Sequence, residues 1–249
     1  MTGLVLLRSC AGLAIVLLTP FGVGPALSDE PGTNTAPALT GVTFVAFDTE
    51  TTGLKAAEGR ILEIGAVKFR NLQILDRKSW LINPGILIPE ESRRINGITP
   101  EMVSNSPPFA VVFPEFAAFT KGAVLLAHNA AFDRRFTAAE LARHGLPPPD
   151  NLLLDTLPLF RVWFPGLRSY ALESLTRSLC SAVEHAAEIG RTQRFHAALW
   201  DAECTAALFM KGQAKLPDGT TLTELTNATA RVLTFKPSRP SRAGERNHQ

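Results

Sequence analysis

The sequence predicts an α/β domain, a mixed sheet covered by helices, on three observations. Residues 42–82 hold three successive runs of β-branched and aromatic residues; residues 107–145 read helix, short buried strand, helix; residues 169–212 carry two more helices. The 249 residues, 45% of them hydrophobic, are ample for one such domain and tight for two.

Taken in order, VTFVAFD (42–48) is the first strand, and RILEIGAVKF (60–69) and ILDRKSWLI (74–82) are two more joined by a turn around Asn71, giving a three-strand meander. PPFAVVFPEFAAFTKG takes helical spacing after its prolines, and AVLLAH is a short buried strand. AAFDRRFTAAELARHG is an amphipathic helix stopped by Gly145 and Pro147 to Pro149. SYALESLTRSLC and HAALWDAECTAALFMKG supply the last two helices.

The folded domain is expected over residues 42–214. Residues 1–28 differ from it, with Arg8 as the only charge and Cys10 to Leu18 continuously apolar. They read as a signal peptide cleaved after Ser28. The alternatives are a membrane anchor through residues 9–28 and a misassigned start codon on a cytoplasmic protein; about 20 apolar residues cross a bilayer. The expected location is therefore outside the cytoplasm, periplasmic or secreted, or at a membrane. Residues 29–41, with two Pro, two Gly and three Thr, form a linker. Residues 215–249 form a C-terminal extension, Thr-rich at first and nearly without apolar residues from Lys236, where disorder is expected.

A net charge of +2 excludes sequence-independent clamping of duplex DNA as the main activity, since that needs a marked excess of Lys and Arg. Three cysteines, Cys10, Cys180 and Cys204, are too few and too scattered for a disulfide scaffold or a paired-cysteine zinc site. Oxidising surroundings would permit a Cys180–Cys204 disulfide; two buried thiols are the other reading.

The chemistry lies in the acids. Asp48 and Glu50 are two residues apart at the end of the first strand, so both side chains share one sheet face. Two like charges aimed together call for a divalent cation or a basic side chain between them. Asp133 falls in the first turns of the helix after AVLLAH, which Asn129 is placed to cap. Asp201 lies in the alanine-rich helix after His196. Five helical positions do not share a face, so His196 must stand in the lead-in loop if it is to meet Asp201.

FVAFDTETTGL, HNAAFDRRF and HAALWDA, in this order, resemble the three motifs of the DEDDh 3′–5′ exonucleases, the superfamily of ribonuclease T and the polymerase III epsilon subunit. RILEIGAV, INP, GITPEMV and LLLDTLPLFR extend the resemblance over residues 42–211. It implies a ribonuclease H-like fold in which Asp48, Glu50, Asp133 and Asp201 hold two Mg²⁺ or Mn²⁺ ions and His196 is the general base. It also implies that Thr51 and Leu54 contact the terminal nucleotide, with Asn129 beside them. The stretch from Cys180 to His196 is longer than the connector the resemblance leads one to expect.

All-oxygen ligands suit hard cations rather than zinc or copper. The expected activity is release of nucleoside 5′-monophosphates from 3′ ends of single-stranded nucleic acid, DNA ahead of RNA. The alternatives are an RNA-directed exonuclease and a non-catalytic nucleic-acid-binding module on the same fold. Phe132, Phe136, Trp163, Phe164 and Tyr170 are candidate stacking platforms. Arg134, Arg135, Arg191 and Arg194 are candidate phosphate contacts.

Overall fold

The computed structural model describes residues 38–180, 197–229 and 232–235. The signal-peptide and anchor readings, most of the linker, His196, Arg191 and Arg194 lie outside them. Among the described residues, no helix is long and apolar enough to cross a membrane.

The meander expected from the sequence is present: β1 (Phe44–Thr51), β2 (Ile61–Arg70) and β3 (Gln73–Leu81) pair antiparallel. Asn71 and Leu72, both at positive φ, make the turn between β2 and β3. A crossover through α1 (Glu90–Asn96), α2 (Pro100–Val103) and α3 (Phe109–Thr120) brings β4 (Val124–Ala127) parallel to β1. Then follow α4 (Ala131–His144), β5 (Leu153–Asp155) parallel to β4, α5 (Thr156–Trp163), α6 (Leu172–Leu179) and α7 (Ala198–Gln213). Last come α8 (Leu222–Thr229) and the two-residue β6 (Val232–Leu233), antiparallel to β5. The sheet order is β3-β2-β1-β4-β5-β6, a mixed sheet flanked by helices of the ribonuclease H-like kind.

β1 is buried on both faces, and its alternation divides the core. Val45 and Phe47 point into a cluster with Phe109, Phe113 and Phe116 of α3 and Phe136 of α4. Phe44 and Ala46 point into the opposite cluster, with Leu159 and Phe160 of α5 and Leu208 and Phe209 of α7. Asp48 and Glu50 continue the second alternation, on the α7 side; Thr49 and Thr51 continue the first, on the α4 side. β1 and β4 run parallel while their chains leave to opposite sides of the sheet, and their C-terminal ends open a crevice of the kind in which α/β sheets bind ligands.

Residues 215–235, read from the sequence as an extension, contribute a strand to this sheet. Leu225 and Phe235 are buried in its two cores. Cys180 is half-buried and Cys204 buried, with no disulfide between them, and burial pushes the Cys204 thiol up to about 12.

Candidate active site

A cleft of about 520 Å³ opens at the C-terminal ends of β1 and β4. Asp48, Glu50 and Asp201 converge in it, each offering one carboxylate oxygen within 4.8 Å of the others. The strand period sets the first two on one face, and α7, packed over β1 and β2, delivers the third from its first turn. Gly65 permits that approach. It sits directly across the sheet from Asp48, and a Cβ there would run into the backbone of Ala198 and Leu199.

Asp133 enters from the other layer. It lines the same cleft and accepts a hydrogen bond from Thr49 Oγ1 at 2.8 Å. Burial raises the Asp48 carboxyl well above its ordinary value, with Asp133, Asp201, Glu50 and Glu63 adding repulsion. Burial, then Asp201 and Glu63, lift Glu50 to about 8 against a hydrogen bond from Asn96. Burial lifts Asp133 to about 7, opposed by its bond from Thr49. In the absence of cations, the site therefore holds protons near neutral pH.

Thr51, Leu54 and Asn129 all line the cleft. The Thr51 hydroxyl is occupied within its turn, donating to the Gly53 carbonyl at 2.7 Å. Leu54 is 81% exposed at the mouth. Its loop is held by Thr52, bonded to Arg60 through backbone and side chain, and by Arg143, which donates to the carbonyls of Ala56 and Ala57.

The expected cap by Asn129 is absent. Ala130 takes the N-cap position, while Asn129 adopts a left-handed φ of 63° and donates its N–H to Asp155 Oδ1. That carboxylate also caps α5 through Leu157 N–H, so a buried acid that the sequence reading passed over fixes the turn leading to Asp133. Of the stacking candidates, Phe132 alone lines the cleft. Phe136 and Phe164 are buried in the core, and Trp163 packs against Gly212 and Phe209. The Tyr170 hydroxyl donates to the Phe164 carbonyl. Arg134 donates to the Thr234 carbonyl, tying the last strand to α4, and Arg135 is exposed.

His128, Asn96 and Glu63 also escaped the sequence reading. His128 bonds Thr156 Oγ1 and the Tyr170 carbonyl, and burial lowers its pKa. Asn96 donates to the Thr51 carbonyl from the end of α1. The available signal for Glu63 was its place in RILEIGAV, two residues before Gly65.

Residues 45–209 match the RNase T family model, whose description is exonuclease. The chain belongs to the RNase T exonuclease family. The DNA polymerase III subunit epsilon of Treponema pallidum is 47% identical over 136 residues, which are 54% of this chain and 63% of that protein. The PolC-type DNA polymerase III of Caldanaerobacter subterraneus subsp. tengcongensis is 39% identical over 175 residues, 70% of this chain but 12% of the polymerase. The chain thus spans less than two thirds of either relative. Among solved structures, exonuclease X in complex with 5′-overhanging duplex DNA superposes with a TM-score of 0.58 at 28% identity, covering 74% of this chain and 98% of that one. Escherichia coli exonuclease I with a dA16 oligonucleotide gives 0.60 at 19% identity, covering 75% of this chain and 42% of that one, and shares the fold. The acid cluster described above lies within the span that matches the exonuclease family model.

Proposed function

We propose that this member of the exonuclease family is a divalent-metal-dependent 3′–5′ exonuclease that releases nucleoside 5′-monophosphates from single-stranded DNA. The observation that carries the reading is the meeting of Asp48, Glu50 and Asp201 in an open cleft. Buried Glu50 and Asp201 and half-buried Asp48 repel one another, and a divalent charge relieves both the repulsion and the retained protons. The all-carboxylate donor set fits Mg²⁺ or Mn²⁺. Asp48, Glu50 and Asp201 would hold the ions, with Asp133 completing a two-ion set from the α4 side. Bound there, such ions would supply positive charge beside the phosphate and would make a nearby water more acidic.

The remaining work belongs to the chain. Thr49 and Asn96 orient Asp133 and Glu50 by hydrogen bonding. Exposed Leu54 and half-buried Phe132 give the terminal base apolar surface. His196 is assigned the proton of the attacking water, which an imidazole side chain is suited to accept near neutral pH. The preference for DNA is supported by relatives that are a DNA polymerase subunit and a DNA polymerase and by neighbours solved with DNA.

A 5′-labelled oligomer should shorten stepwise from its 3′ end with Mg²⁺ or Mn²⁺, stop with EDTA and yield 5′-mononucleotides, and an RNA of the same sequence should be degraded more slowly. Internal cuts, release of the 5′ label or faster loss of the RNA would overturn the corresponding part of the reading.

A further inference from the structure

Asp201 reaches the cleft from the first turn of α7, so the position of that helix end decides whether the acids converge. The helix has no side-chain cap of its own, because Ala197 occupies the N-cap position. The acceptor comes instead from the sheet. Glu63 Oε2 accepts the Ala198 N–H at 3.2 Å, and Glu63 Oε1 accepts the Ser79 hydroxyl at 2.6 Å.

The register explains how Glu63 arrives there. Along β1 and β2, Asp48 pairs with Gly65 and Glu50 with Glu63; on the far side, Gly65 pairs with Ser79 of β3. Directly opposed residues of antiparallel strands share a face. Glu63 therefore stands beside Glu50, on the face that α7 covers, while the missing Cβ of Gly65 lets the helix end settle on the sheet two residues along β2. An acid opposite an acid is unfavourable unless its charge has another partner. Here that partner is the partial positive charge of the helix N-terminus.

We propose that Glu63 is a positioning residue: braced by Ser79, it docks the N-terminus of α7 on the sheet and thereby sets where Asp201 meets Asp48 and Glu50. The inference rests on reading Asp201 as a metal ligand. Partners that orient metal ligands indirectly change metal affinity or activity by about 10- to 100-fold when removed.

The test measures Mn²⁺ affinity by calorimetry, together with kcat and KM on a single-stranded DNA oligomer, in the full-length protein and its Asp201→Asn, Glu63→Ala, Glu63→Gln and Ser79→Ala variants. Glu63→Ala should weaken Mn²⁺ binding and lower kcat, each by about 10-fold or more, with KM little changed. Glu63→Gln should recover most of both losses, because its amide oxygen still accepts from Ala198 and its amide nitrogen donates to the Ser79 oxygen. Ser79→Ala, at an exposed position, should fall between wild type and Glu63→Ala at an unchanged melting temperature. Wild-type Mn²⁺ affinity and kcat in Glu63→Ala, or equal damage in Glu63→Gln and Glu63→Ala, would overturn the proposal. If Glu63→Ala does not fold, wild-type behaviour of Ser79→Ala overturns it. Undiminished Mn²⁺ affinity in Asp201→Asn would instead remove the metal-ligand reading on which it rests.

Discussion

Glu50 and Asp133 hold their protons to about 8 and about 7, against ordinary values of 4.5 and 3.8, because burial and neighbouring acids disfavour their charged forms. Asp48 is raised in the same direction. Across the interval from the ordinary values to the raised ones, the folded chain binds more protons than the unfolded chain. Stability of the metal-free protein must therefore fall as pH rises through that interval. Melting temperatures measured with chelator from pH 5 to pH 8 should decline, and saturating Mn²⁺ should reverse the decline, since the cation replaces the protons. Asp48→Asn should flatten the chelated profile and raise its alkaline end while abolishing turnover. A metal-free melting temperature that rises over the same pH range would contradict the electrostatics assigned to the site. Asp48 and Glu50 could be paired from the sequence because a two-residue spacing puts both on one face of a strand, whereas Asp201 was joined to them by the resemblance of its motif. Glu63 and Asp155 could not be found in either way, because each acts by accepting backbone N–H groups far along the chain, at Ala198 and Asn129. In sequence, the first is a polar position on a strand and the second an acid before a helix.

At the scale of elements, the site is a product of β1, β2 and α7. The close contact at Gly65 makes a specific demand: a methyl group there meets the helix backbone, which has no rotamer by which to yield. Gly65→Ala should cost about 1 to 3 kcal/mol by overpacking. By displacing Asp201, it should lower kcat about 100-fold, the scale of loss expected for a 1 Å misplacement. Denaturant melts and steady-state kinetics on the variant check both; wild-type kinetics would show that α7 needs no such approach. The long apolar runs of β1, α3 and β4 made those elements readable. α1 was not, because the residues it buries are Ser92 and Asn96, which leave no hydrophobic period to detect. β5 and β6, with three and two residues, are fixed by the strands beside them rather than by their own sequence.

Over the whole molecule, the boundary drawn at residue 214 cuts through the packing of the fold. Phe235 and Leu225 are 4% and 3% exposed, and Arg134 holds the Thr234 carbonyl at 3.2 Å. A chain ending at Ala214 would forfeit about 1.5 to 3 kcal/mol for each of those two side chains and should melt on the order of 10 °C lower. An unchanged melting temperature in the truncated protein would show that β6 and α8 add nothing to the fold. The family model stops at residue 209, which is where the sequence pattern fades as well. Beyond it, the chain is Thr-rich, and its few apolar residues acquire meaning only against β5 and α5.

Asp48, Glu50 and Asp201, with Asp133 beside them, are proposed as the divalent-cation centre of an exonuclease. The most direct measurement is a crystal of the protein soaked in Mn²⁺ and examined by anomalous scattering. An anomalous peak is expected within bonding distance of Asp48, Glu50 and Asp201 oxygens, absent in Asp201→Asn. A cleft without anomalous density at saturating Mn²⁺, in a crystal where the three carboxylates are ordered and accessible, would contradict that assignment.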